Sequence, residues 1–299
     1  MAIRNLMHNY FYGKPGKRDF TEADLPRNRM QLFRHVLGLR WGKMVWLNLL
    51  CLLFWLPAIA WTSLNVLQAG SILTLPAEQI PASLQQIVYT WLLILFPLIA
   101  ITGPFNVGMS DVFHRWARDE HCYPFAGFRS GLKANWKLGL LFGAVDGAIP
   151  LLVYLCVHVY LELAAQTRLF LLPAVLLLIL LLLWFIAAPL MPQLIVSYEL
   201  SFGGVLKNAF LMTLVSLPRS IAIRLATLAA PALLLLGMYL FPRAAGALIL
   251  LGSLLYAGFL FAFHKLIWAS YANALGEKYL NARIPGAPTN IGLRPNRGE

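Results

Sequence analysis

One acidic residue stands inside a long apolar run: Asp146, within Leu138–Leu161. At 1.5 Å per residue it lies roughly 12 Å from the start of that run, close to the middle of a hydrocarbon layer about 30 Å thick. A carboxylate at that depth is costly to hold, and where one is kept it commonly couples protons or binds a substrate. It can equally be a hydrogen-bonded pin between two helices, and both readings are open. Arg224 lies near the inner end of its own apolar run, which makes it shallow for a partner of Asp146. Gly139, Gly143 and Gly147 flank Asp146 at four-residue spacing, a stripe that lets a second helix approach closely.

A second group of polar residues lies between Gly103 and Lys137. Asp111 and Arg115 are one helical turn apart and can pair for about 0.2–0.5 kcal/mol. With Arg118 they form a candidate contact for a cytoplasmic partner. On a helix, Asp111, His114, Arg115 and Arg118 fall opposite an apolar face of Phe105, Met109, Val112 and Trp116. His114, His121, Asp119, Glu120 and Cys122 are chemically able to bind metal. They lack an i, i+4 histidine pair or a tight Cys/His spacing, so no metal site is assigned. Nucleophile-elbow, zincin, P-loop and dinucleotide-binding patterns are absent. Cys51, Cys122 and Cys156 form no CxxC pair and read as small buried hydrophobes. Neither enzymatic activity nor a cofactor is expected.

The elements that carry these residues are apolar. Hydrophobic residues make up 60% of the 299 and charged ones 12%, against roughly 45–50% and about 25% in soluble domains. Six runs are long enough to cross a bilayer: 44–64, 86–107, 138–161, 169–196, 221–241 and 244–268. The fold class is therefore an all-α integral-membrane bundle with cytoplasmic amphipathic helices. Residues 1–43 form a polar N-terminal segment, 44–268 the six-span domain with a loop at 108–137, and 269–299 a tail whose Pro- and Gly-rich end reads as disordered. Gly103-Pro104 marks a break in the second run, and Pro189 and Pro192 predict a kink in the fourth.

The net charge of +12 does not point to nucleic acid, because the basic residues sit at the ends of apolar runs. Within the N-terminal segment, Thr21 and Asp24 form a capping pair, and Pro26 suits the first turn of the helix that follows. From Asn28 to Gly42, Met30, Phe33, Leu37 and Trp41 recur at helical spacing among Arg29, Arg34 and Arg40. Such a helix lies on the anionic cytoplasmic leaflet or packs against its own bundle. Counted by side, 22 Lys and Arg fall at one membrane face and only Arg168 and Arg243 at the other. The positive-inside rule then places both termini in the cytoplasm.

An internal repeat is also legible. Phe33, Leu37 and Trp41 precede the first run, Phe128, Leu132 and Trp136 the third, and Phe202, Leu206 and Phe210 the fifth. Pro57, Pro150 and Pro231 occur in the runs that follow. Three parallel units result, each a surface helix followed by a helical hairpin.

From Gly103 to Lys137 the chain resembles the YesL-like family of bacterial membrane proteins. Gly103-Pro104, Gly108-Met109, the Arg115-Trp116-Ala117-Arg118 run, and Phe125 and Phe128 ahead of Asn135-Trp136-Lys137 carry the resemblance. Gly127 departs from it, since the family often has an acidic residue before the phenylalanine matched here by Phe128. The resemblance implies a multi-pass protein of the bacterial plasma membrane, often encoded near carbohydrate-uptake systems, with no catalytic residues to carry over. The leading expectation is an accessory or regulatory partner of a sugar-uptake complex. The alternative is a small-molecule transporter using Asp146, with helices broken at Pro97, Pro104, Pro189 and Pro192.

Overall fold

A computed structural model describes residues 21, 24–72 and 74–294. Expectations for the first 20 residues, and for Pro295 and Gly298 in the tail, lie outside the described residues. Within them all regular structure is helical: α1 (Arg29–Ile72), α2 (Ile80–Trp116), α3 (Pro124–Gln166), α4 (Leu171–Ala187), α5 (Met191–Ser197), α6 (Phe202–Val215), α7 (Leu217–Leu240), α8 (Ala245–Leu255) and α9 (Phe261–Tyr279). A 3-10 turn, Ala188–Leu190, joins α4 to α5, and a π-helical turn, Tyr256–Leu260, joins α8 to α9. Six runs are long and apolar enough to cross a membrane: α1, α2, α3, α4 with α5, α7, and α8 with α9. The chain is an all-α, multi-pass membrane bundle.

Helix starts follow local chemistry. Pro81, Pro124 and Pro218 occupy first turns, where a missing N–H costs nothing. Ser201 caps α6 by accepting from Gly204 N–H at 3.3 Å. Thr21 and Asp24 do pair, the Asp24 carboxylate accepting from the Thr21 N–H and hydroxyl. The helix that follows starts later than the sequence suggests. Asn28 caps it, accepting from Gln31 N–H at 2.9 Å, and Pro26 stands outside it.

The amphipathic segment is not a separate surface helix, because α1 runs unbroken through it and the span. Its buried face is also displaced by about one residue from the one predicted. Leu32, Val36, Arg40 and Met44 turn inward, while Met30 and Trp41 are 60% and 51% exposed. Arg40 can be inside because partners wait for it. It donates to the Glu120 carbonyl at 3.0 Å, approaches Asp119 Oδ1 at 3.4 Å and lies over the Trp116 ring.

The backbone does not break at Pro97 or Gly103-Pro104: α2 continues to Trp116, as the shared face of Phe105, Met109, Val112 and Trp116 predicts. It packs closely on α3. A Cβ on Gly143 would lie 2.6 Å from the Ala100 carbonyl oxygen, and one on Gly147 would lie 2.7 Å from that of Phe96. The stripe is longer than the three glycines suggest. Gly127 and Gly131 lie on the same four-residue register beyond Asn135, and Gly131 passes under the side chain of Asp111. Pro189 and Pro192 do interrupt the fourth run, at the 3-10 turn.

Two apolar cores form. One gathers Leu32, Val36, Phe113, Trp116 and Leu266, and the other Trp184, Met191, Leu194, Val205 and Trp268. Toward the opposite end the helices separate. Leu172, Leu176 and Leu180 on α4, and Leu233, Leu236 and Leu240 on α7, are at least half exposed, as lipid-facing residues are. The residues of the three sequence triples distribute over these cores. Phe33 and Leu37 pack on the first core, as do Phe128 and Leu132, with Trp41 and Trp136 turned outward. Phe202, Leu206 and Phe210 pack on the second core. The third unit differs in that Ser216 separates its surface helix from the span.

The tail is ordered through Arg294 and straps the bundle. Glu277 pairs with Arg29 and accepts from Asn290 N–H at 2.8 Å, and Arg294 N–H reaches the Pro26 carbonyl at 2.9 Å. Gly292 has φ of +74°, and a Cβ there would lie 2.7 Å from the Arg118 carbonyl oxygen. Both facts require glycine. Up to Arg294, these contacts join segments of the chain more than 200 residues apart, which composition does not reveal.

Candidate functional site

Two positions of the repeat read from the sequence meet at the site. Asp146 lies four residues before Pro150, and Thr227 lies four before Pro231. These equivalent positions of the second and third units face one chamber of about 460 Å³. Its other walls come from α2 (Asn106), from Trp184 to Pro192, and from Tyr256 to Trp268. Binding sites of membrane carriers commonly form at such interfaces between repeats.

Three charged side chains reach the chamber from three helices. Asp146 Oδ1 accepts from Trp184 Nε1 at 2.9 Å. The Arg224 guanidinium lies 3.5 Å from the centre of the Phe185 ring, and its buried Nε has no hydrogen-bond partner among the described residues. Lys265 Nζ donates to Asn106 Oδ1. Among the described residues no carboxylate lies within 4.0 Å of Arg224 or Lys265. Arg224 and Asp146 therefore share a chamber without closing an ion pair. Taken as ionised, the chamber carries two positive charges and one negative, an arrangement suited to holding an anionic group.

Arg224, Lys265 and Asn106 were not picked out from sequence as site residues. The two cations lie within a few residues of run ends and count there as loop charges. Lys265 did leave a signal: with His264 it is flanked by Phe261-Ala262-Phe263 and Leu266-Ile267-Trp268, an apolar setting in which an ionisable residue is a functional candidate.

The second polar group turns inward more than expected. Asp111 and His114 are 6% and 9% exposed. The extension of α2 is thus buried on both faces, since α5 and α9 close over its polar side. Asp111 bonds Arg115 Nε at 3.3 Å, and Arg118 pairs with Glu120 at 3.1 Å. Arg115 is the most open of the candidate contact residues.

His114 Nδ1 lies 3.0 Å from Ser197 Oγ, a distance that suits a base and its nucleophile. The surrounding bonds assign the protons otherwise. Arg118 Nη1 lies 3.0 Å from Nε2 and can only donate. Nδ1 therefore carries the proton and donates to Ser197 Oγ, whose own hydroxyl donates to the Gln193 carbonyl at 2.6 Å. This network joins α2 to α5 and does not activate the serine.

Beside it, the Tyr198 hydroxyl donates to Asn281 Oδ1 at 2.8 Å and so fastens the tail. Its pKa is pushed up to about 12, by burial first and then by the Glu277 carboxylate. The folded state thus keeps a proton that the unfolded chain releases near pH 10, and stability should fall as pH rises from 10 to 12. Tyr198→Phe is expected to flatten that alkaline loss of thermal stability. An unchanged pH profile in the variant would contradict it.

No family model matches the chain, and neither a curated protein nor a solved structure matches it.

Proposed function

We propose that this protein binds the polar part of a small molecule inside the membrane and carries it between the two faces. The observation that supports this reading is the chamber itself, with Arg224 and Lys265 held among apolar helices without a carboxylate in contact. Charges cost several kcal/mol to bury unless paired, so a site that leaves two cations without an anion in contact is one that a ligand completes. Asp146, opposite them, is the candidate for coupling to protons or for orienting the ligand. Orientation with both termini in the cytoplasm is part of the proposal. Once Arg224 and Lys265 are assigned to the chamber, the Lys and Arg counts at the two faces are 20 and two.

The test is equilibrium binding to the purified protein in phosphatidylcholine nanodiscs, across sugars, carboxylates, phosphate and phosphate esters with and without alkyl chains. At least one class should bind. Arg224→Gln combined with Lys265→Gln should weaken that binding about tenfold or more, while Lys278→Gln should not. In proteoliposomes Asp146→Asn should slow flux of the same compound. Absence of binding by every class would remove the reading.

A second reading, a partner of a carbohydrate-uptake complex, rests on the resemblance to the YesL-like family. It is favoured by the turn between α2 and α3, where Tyr123 and Phe125 are 67% and 68% exposed.

A further inference from the structure

On the side of the chamber facing α8 lies an apolar groove of about 550 Å³ between α1, α7 and α8. Leu52, Leu235 and Ile249 line it, and Pro231, Tyr256 and Phe261 belong to the walls of both spaces. Ile249, 58% exposed, stands where lipid would be. The two spaces lie side by side along these shared walls, a cationic pocket next to an apolar groove that faces the hydrocarbon, which together match the outline of an amphiphile.

We propose that the ligand is a membrane amphiphile with a carboxylate or phosphate head, the head held by Arg224 and Lys265 and the chain lying in the groove. This rests on the chamber being the binding site proposed above. Three observations support it. The guanidinium offers a planar fork that matches either anion, and its buried Nε is without a partner. A monoanionic head, as a carboxylate is, would also bring the charges of Arg224, Lys265 and Asp146 to balance. Finally, the groove spares the ligand a transfer: lipid tails are as apolar as leucine, so a chain moving sideways from bilayer to groove loses nothing while the head enters. A water-soluble anion has no such route and no use for an apolar channel beside its site.

The experiment uses the full chain in phosphatidylcholine nanodiscs with three probes: dodecyl phosphate, inorganic phosphate and dodecanol. Binding is read by native mass spectrometry and by thermal stability. Dodecyl phosphate should bind one per protein, more tightly than inorganic phosphate, which lacks the chain, and at least about tenfold more tightly than dodecanol, the margin of one charge-assisted hydrogen bond. Arg224→Gln with Lys265→Gln should remove that margin. Ile249→Trp, which fills the groove away from the charges, should weaken dodecyl phosphate and leave any phosphate binding unchanged. Equal binding of inorganic phosphate and dodecyl phosphate would overturn the amphiphile while leaving the chamber as a site for soluble anions. Binding of neutral sugars alone would overturn the anionic head and leave the carrier reading intact. If none of these compounds binds, both fall.

Discussion

Gly103→Ala is expected to abolish accumulation of folded protein in the membrane. A Cβ at this position would lie 2.1 Å from the Gly139 carbonyl oxygen and 2.9 Å from the Gly143 Cα. Both are backbone atoms of α3, so no side chain can swing aside. Adding one carbon to a packed core ordinarily costs about 1–3 kcal/mol. Here the helices themselves must part, which places the cost at or above the top of that range. The same change at Gly38 has the opposite expected sign. No atom lies within 4 Å of its Cβ, and alanine in a helix interior gains up to about 1 kcal/mol over glycine. Expression in membranes and thermal unfolding in detergent will separate the two. A Gly103→Ala variant as stable as the Gly38→Ala variant would show that α2 and α3 do not touch as described.

Asn48→Leu is the second large effect. Asn48 is fully buried on α1 and spends its whole amide on the π turn. Nδ2 donates to the Tyr256 and Ala257 carbonyls at 2.8 and 2.7 Å, and Oδ1 accepts from Ala262 N–H at 2.9 Å. A π turn leaves carbonyls without their usual partners, and in hydrocarbon no water replaces them. Leucine at this position leaves three buried groups wanting, at about 1–3 kcal/mol each. A loss of at least about 3 kcal/mol in stability is expected. Asn65→Leu is the control, because among the described residues Asn65 bonds only the Trp61 carbonyl of its own helix. It should cost about 1 kcal/mol or less. Equal stability of the two variants in detergent would sink the assignment of Asn48 to the π turn.

Parts of this architecture are readable from the chain because they are local. A span announces itself by about 20 apolar residues, a glycine stripe by its spacing, and a capped helix start by its neighbours. The stripe of Gly139, Gly143 and Gly147 is of this kind, as is the kink at Pro189 and Pro192. The rest depends on contacts between distant segments. Nothing near Asn48 says that a π turn 200 residues later needs it. Likewise Arg29 and Glu277 do not announce the strap they hold. The site was half legible. Asp146 stands out because a carboxylate inside a long apolar run has few explanations, whereas Arg224 and Lys265 lie near run ends, where charges are ordinary. Only the packing of three helices shows which way those two side chains point.

The π turn has a further consequence, one of rotational phase. One extra residue in a helix advances everything after it by about 100° around the axis. Were Tyr256–Leu260 wound as an ordinary α-helix of one residue fewer, the faces of α8 and α9 would differ by that angle. If α8 kept its lipid-facing side, Lys265 would swing away from Asn106 and the chamber. The inserted residue thus acts as a phase shifter. It lets a single run present an apolar face along the groove and a lysine to the polar chamber one turn later, with Asn48 as the clamp that holds the offset in place.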